Sequence, residues 1–137
     1  MKKFILILLL ATTGFAQNVI DYRAVNLMTS AKINGNWNTS DKIDVWDDNI
    51  TIRIDADTDF ITIDSKEFQE YKILDVTNSN DIQNINGFSY LCFDYIAIDK
   101  TGYFCTVKIK LSKDISLINI VYEDLFVVYS MKYVDKH

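Results

Sequence analysis

"INIVYEDLFVVY", residues 118–129, decides the fold class. Apolar side chains alternate on both sides of Glu123-Asp124, and folding the stretch back there sets Ile118, Ile120 and Tyr122 opposite Tyr129, Val127 and Leu125. Alternation with a period of two puts every second side chain on one face of a strand, so the stretch reads as an antiparallel hairpin with one buried face. The same pattern recurs upstream. Ile50, Ile52 and Ile54 lead through an Asp-rich turn to Phe60, Ile61 and Ile63. "AIDKTGYF", residues 97–104, turns at residues 99–102, where Gly102 can take positive φ.

Strands are expected near residues 19–28, 42–46, 49–55, 59–64, 68–76, 88–98, 103–111, 115–122 and 125–133. No segment keeps a helical period, and no repeat or linker interrupts the chain. Residues 77–87, "TNSNDIQNING", read as one long polar connection. The chain is rich in Ile, Val, Tyr, Phe and Thr, as strands require. It has no proline and four glycines, so Asn and Asp must make most of the turns. The expected fold is all-β: a single antiparallel domain, either a small up-and-down barrel or a strongly curved sheet of seven to nine strands.

The opening "MKKFILILLLATTGFAQ" has two lysines, a short apolar run and small residues at Gly14 and Ala16. This is the order of a cleaved export signal, expected over residues 1–16 with the all-β domain at 17–137. The run falls well short of the about 20 apolar residues that a membrane span needs. Export to the periplasm or the medium follows, with no membrane insertion after cleavage. Losing Lys2 and Lys3 takes the net charge from −5 to −7. An acidic domain without a Lys/Arg cluster argues against nucleic acid as a partner and leaves a protein or a small ligand.

The carboxylates of "IDADTDFITID", residues 54–64, stand at alternating positions Asp55, Asp57 and Asp59. A helix-flanked calcium loop would need Gly at its sixth position and Glu at its twelfth; counting from Asp55, those are Phe60 and Lys66. The segment therefore reads as a solvated hairpin tip, with a weak cation site of other geometry as the rival, and no metal site is assigned.

Cys92 and Cys105 are the only cysteines. If Ile98 pairs with Tyr103, Cys92 faces Ile109 and Cys105 faces Ile96, on one face but roughly 13 Å apart along the strands. A disulfide tolerates Cα separations of about 7 Å. Two buried thiols are favoured over a bond that a register shift would permit. His137 is the sole histidine and the last residue, so no His-based relay or metal site is expected. Ser89, in "GFSY", lacks the second glycine of a nucleophile elbow. Asp94 shares a face with Cys92 and Ile96 and is expected buried in a structural role. No catalytic set and no cofactor site is assigned, and the chain is not expected to be an enzyme.

The "FAQ" ending of the leader and the richness in Ile, Asn, Lys and Asp resemble small secreted proteins of Bacteroidetes-type bacteria. Gly35-Asn36-Trp37 has the G-x-W form of lipocalins, and Phe93-Asp94-Tyr95 resembles their T-D-Y motif with Phe93 in place of Thr. That resemblance implies a barrel holding a small apolar ligand, with Trp37 plugging its closed end. The two motifs stand closer together than in typical lipocalins. A strand-like segment precedes the first, and the family's arginine motif has no counterpart.

Two functions from different classes follow: an exported protein-interaction module, envelope accessory or inhibitor-like, and a lipocalin-like carrier of a small apolar ligand. The first is preferred. With the pairing assumed above, Cys92, Ile96 and Ile98 face Tyr103, Cys105, Val107 and Ile109 as core. The opposite face carries Leu91, Phe93, Tyr95 and Ala97 against Lys110, Lys108, Thr106 and Phe104. Either another segment packs over this second face, or Phe93, Tyr95 and Phe104, rimmed by Lys108 and Lys110, form an exposed patch for a protein partner.

Overall fold

The computed structural model describes residues 19–134, so the export signal and His137 lie outside the described residues. Ten strands follow one another: β1 Val19–Ile33, β2 Asn36–Thr39, β3 Ile43–Asp44, β4 Thr51–Asp55, β5 Phe60–Asp64, β6 Gln69–Ile85, β7 Phe88–Asp99, β8 Phe104–Leu111, β9 Ser116–Val121 and β10 Leu125–Tyr133. From β4 onward each strand pairs antiparallel with the next, and β1 joins β4 to β10. The result is a closed eight-stranded up-and-down barrel, with β2 and β3 as additional strands on β1.

Closure rests on the length of β1. One edge pairs with β10 from Tyr22 to Ala31; the other serves β4 over Val19–Arg23, then β3, then β2. A bulge between Ala24 and Asn26 adds one residue to β1 and increases the local twist that a small barrel needs. The bulge residue's carbonyl is not lost, because Val45 N–H donates to Val25 O at 3.0 Å.

Inward positions are filled by Ile20, Ile52, Ile54, Ile61, Ile63, Ile73, Phe93, Tyr95, Ile109 and Ile118, all fully buried. Eight strands enclose a space that side chains of this size can fill. The β9–β10 hairpin has the expected pairing, with Ile118 opposite Tyr129 and Ile120 opposite Val127, and in the β4–β5 hairpin Ile52 lies opposite Ile63 and Ile54 opposite Ile61.

Two expectations are corrected. Residues 77–87 are not a loop. β6 runs on to Ile85 and turns through Asn86 and Gly87, with φ of 52° and 82°, to pair Ile85 with Phe88. Positive φ at both central residues marks a type I′ hairpin, for which Asn-Gly is the strongest local signal. In the arm Asp81, Ile82 and Asn84 are all exposed, so both faces meet water there and the segment has no need of alternation. Beyond Ile73, no described strand pairs with the outer edge of β6. Three register irregularities and the exposed Asp75 and Asp81 break that edge up as a template for further strands.

The second correction is the β7–β8 register. Ile98 pairs with Phe104, not Tyr103, because the turn holds one residue more. Asp99 organises it: Asp99 Oδ1 accepts from Thr101 N–H at 2.9 Å, Thr101 Oγ1 at 2.7 Å and Tyr103 N–H at 2.9 Å. A slip of one residue exchanges the faces of a strand. Phe93, Tyr95 and Ala97 therefore point into the barrel at 0% exposure, while Ile96 lies outside at 37%. Phe93 and Tyr95 stack with ring centroids 6.3 Å apart. Asp94 is half-buried on the outer wall opposite Lys108, not in the core.

Candidate functional site

The barrel end formed by residues 65–68, the β7–β8 turn and the β9–β10 turn surrounds an open cleft of about 980 Å³. Its rim is aromatic. Tyr103 and Phe104 are 68% and 66% exposed, Phe68 and Leu125 are also exposed, and Lys100 Nζ stands 5.7 Å from the Phe68 ring. Phe68 and Tyr103 face water from the connections between strands and Leu125 from the first position of β10, while Phe104 does so because alternation along β8 turns Cys105, Val107 and Ile109 inward and Phe104 outward. Tyr71 and Tyr122 line the cleft more deeply and pack on the core.

Beneath the rim lies a set of fixed hydrogen bonds. Tyr122 Oη donates to Asp99 Oδ2 at 2.7 Å, so both oxygens of Asp99 are engaged. Burial works against the Asp99 carboxylate, but the bonds from Thr101, Tyr122 and the Tyr103 N–H outweigh it and hold its pKa down to about 2. Burial, reinforced by donation to Asp99, pushes the Tyr122 hydroxyl upward. Tyr71 Oη donates to Gln69 Oε1 at 2.7 Å, and burial raises its pKa to about 12. Gln69 Nε2 donates in turn to Tyr129 Oη at 3.4 Å. The Cys105 thiol nearby is pushed up to about 11, first by burial and then by Asp99. A thiol so buried stays protonated and inert at neutral pH. The arrangement is a hydrogen-bonded floor with an ionised carboxylate already satisfied by its own turn at Oδ1 and by Tyr122 at Oδ2.

A smaller cleft of about 520 Å³ opens at the other barrel end. It lies between the β6–β7 arm, contributing Ile82 and Leu91, and the edge-to-face pair Tyr22 and Tyr133, whose centroids are 6.0 Å apart.

The structure separates the four residues proposed as one patch. Phe93 and Tyr95 are core, Phe104 is on the aromatic rim, and Lys108 is exposed on the outer wall of β8. Of these only Phe104 lines the large cleft. The cause is the one-residue register difference. Tyr103, Phe68, Asp99 and Tyr122 were not singled out as site residues. The available signal was "DKTG", with an Asp at the first turn position whose side chain can bind backbone amides ahead of it.

The cysteines are both free thiols and both buried. The corrected register sets Cys92 opposite Lys110 and Cys105 opposite Ala97, hence on opposite faces and five positions apart, roughly 16 Å. Cys92 is 2% exposed although it lies on the outer face, where burial raises its pKa.

At the Asp-rich tip, Asp57 N–H donates to Asp55 Oδ1 at 2.9 Å, an Asx turn. Asp59 takes φ of 60° and its carbonyl accepts from Ile73 N–H at 2.8 Å. Among the described residues no group of three His, Cys, Asp or Glu side chains is placed to hold a metal. Gly35 belongs to the Asn34-Gly35 turn between β1 and β2, and Trp37 lies outside the barrel at 45% exposure, 5.2 Å from the Phe126 ring. It does not plug a barrel end as the lipocalin resemblance implied. Trp46 is likewise a rim aromatic, with the Arg23 guanidinium 3.8 Å above its ring.

Neither a protein-family model nor a curated protein sequence matches this chain.

Proposed function

We propose that this chain is an exported, non-catalytic binding module, periplasmic or secreted, that holds a protein partner at the aromatic end of its barrel. The observation that carries the reading is the pair Tyr103 and Phe104. Two large rings two-thirds exposed on adjacent residues, beside a cleft with a hydrogen-bonded polar floor, are what a protein interface uses as anchors. The distribution of polarity supports a domain that works in water. Isoleucines fill the interior while Arg53, Lys72, Lys108 and Lys110 stand outside, the reverse of a barrel that faces lipid.

The carrier of a small apolar ligand has less support. An eight-stranded barrel is compatible with such a role, but a carrier encloses its ligand, and here the middle of the barrel is occupied by side chains packed on one another. The open clefts at the two ends would leave a small ligand half in solvent.

The test uses the double variant Tyr103→Ser/Phe104→Ser beside Lys108→Ser on the outer wall. Exposed substitutions of this kind change stability by about 0.5 kcal/mol or less, so all three forms should melt at similar temperatures. Crosslinking in the exported fraction should recover proteins with the wild type and the Lys108 variant that the double variant loses. Equal recovery by all three forms would remove the proposal. An apolar small molecule retained by the purified protein in native mass spectrometry would favour the carrier.

A further inference from the structure

The chemistry of the partner is legible in the same cleft, and the inference rests on the reading of that cleft as the binding end. Five carboxylates line it, from Glu67, Glu70, Asp99, Glu123 and Asp124, against one cation, Lys100. They ring exposed aromatic faces rather than a plain acidic surface. Asp99 is engaged by its own turn and by Tyr122, which leaves the flanking acids of the two neighbouring loops to meet a partner.

We propose that the occupant is an arginine-bearing segment of a basic protein, its guanidinium lying over the rim rings and paired with the surrounding carboxylates. Two properties of the cleft select this chemistry. Guanidinium groups stack on aromatic faces and bind carboxylates through a planar fork, so one side chain satisfies both the apolar and the acidic parts of the surface. An unpaired acidic segment would meet like charge on three sides. A second copy of this chain is disfavoured for the same reason, since its net charge is −5 and its own rim would bring the same carboxylates face to face.

The experiment is selection of random heptapeptides displayed on phage. The purified protein is the bait, and the Tyr103→Ser/Phe104→Ser variant is used for counter-selection. Enriched peptides should carry arginine and a net positive charge. As free peptides in fluorescence anisotropy they should lose about tenfold or more in affinity when each arginine is replaced by neutral citrulline, a change of about 1.4 kcal/mol. The variant Glu67→Gln/Glu123→Gln/Asp124→Asn should weaken them similarly while keeping the rim, and raised salt should weaken them further. Neutralising Asp44, Asp47 and Asp48, which lie outside the cleft, should change little.

Enrichment of neutral or acidic peptides that depend on the rim would overturn the arginine inference and leave the binding end standing. Equal binding by the citrulline forms, or an equal loss on neutralising Asp44, Asp47 and Asp48, would overturn the inference as well. Peptides bound equally by the rim variant would overturn both it and the reading of the cleft.

Discussion

Truncating Phe93 measures the register on which the structure depends. Phe93 is 0% exposed and stacks on Tyr95, whereas its neighbour Ile96 is 37% exposed on the outer wall. Phe93→Ala removes a whole ring from a packed interior; the lost transfer energy and the cavity together cost about 3–5 kcal/mol. Part of this, about 0.5–1.5 kcal/mol, is the ring–ring contact with Tyr95. Ile96→Ala removes fewer atoms from a partly wet surface and should cost roughly 1 kcal/mol, because no closed cavity remains. For a domain of roughly 120 residues, an unfolding entropy of ~2.1 cal/mol/K per residue converts these to melting shifts of about 16 °C and about 4 °C. Urea denaturation followed by tryptophan fluorescence, with thermal unfolding by circular dichroism, separates values so far apart. A larger loss from Ile96→Ala than from Phe93→Ala would mean that the strand presents its even face to the core, and the assigned interior would be wrong.

Other outcomes follow from the turns and thiols. The Asp99 pKa is lowered from 3.8 to about 2, so its contribution is complete above about pH 4 and fades as pH falls toward 2. Asp99→Asn should cost about 1–2 kcal/mol at neutral pH and remove part of that acid dependence, read from urea midpoints between pH 2 and 6; an unchanged pH profile would refute the role given to the carboxylate. Gly87 has φ of 82°, so Gly87→Ala should strain the β6–β7 turn by about 1 kcal/mol. Amide exchange should then accelerate at Ile85 and Phe88 and not in β9. Both thiols should resist an aromatic disulfide reagent in the native protein and react on unfolding, and an intact mass lower by two protons would contradict the free-thiol state.

Sequence and tertiary structure contributed different parts of this molecule. Period-two alternation with Asn, Asp and Gly at the turns is a local property, because it depends only on which side of a strand each residue occupies. It was enough to establish an all-β domain, the existence of the β4–β5 hairpin and the pairing of Ile118 with Tyr129 in the β9–β10 hairpin. A barrel closed by the two edges of β1 was one of two architectures left open, since closure depends on the twist and length of a strand and not on its pattern. Asn86-Gly87 is a local hairpin signal, yet residues 77–87 lack the alternation that marks a strand and so read as a polar connection. The faces of β7 were beyond local reading. Every residue from Leu91 to Ile98 except Asp94 is apolar or Cys, so alternation was silent, and the interior side was set by how many residues the Asp99 turn consumes. That count comes from a carboxylate binding amides two and four residues ahead, a contact that forms only in the folded turn. The candidate site inherits the same dependence. Phe104 was singled out from sequence, but only the folded barrel sets it and its neighbour Tyr103 beside Phe68 and Leu125, which come from two other hairpin ends far apart in the chain.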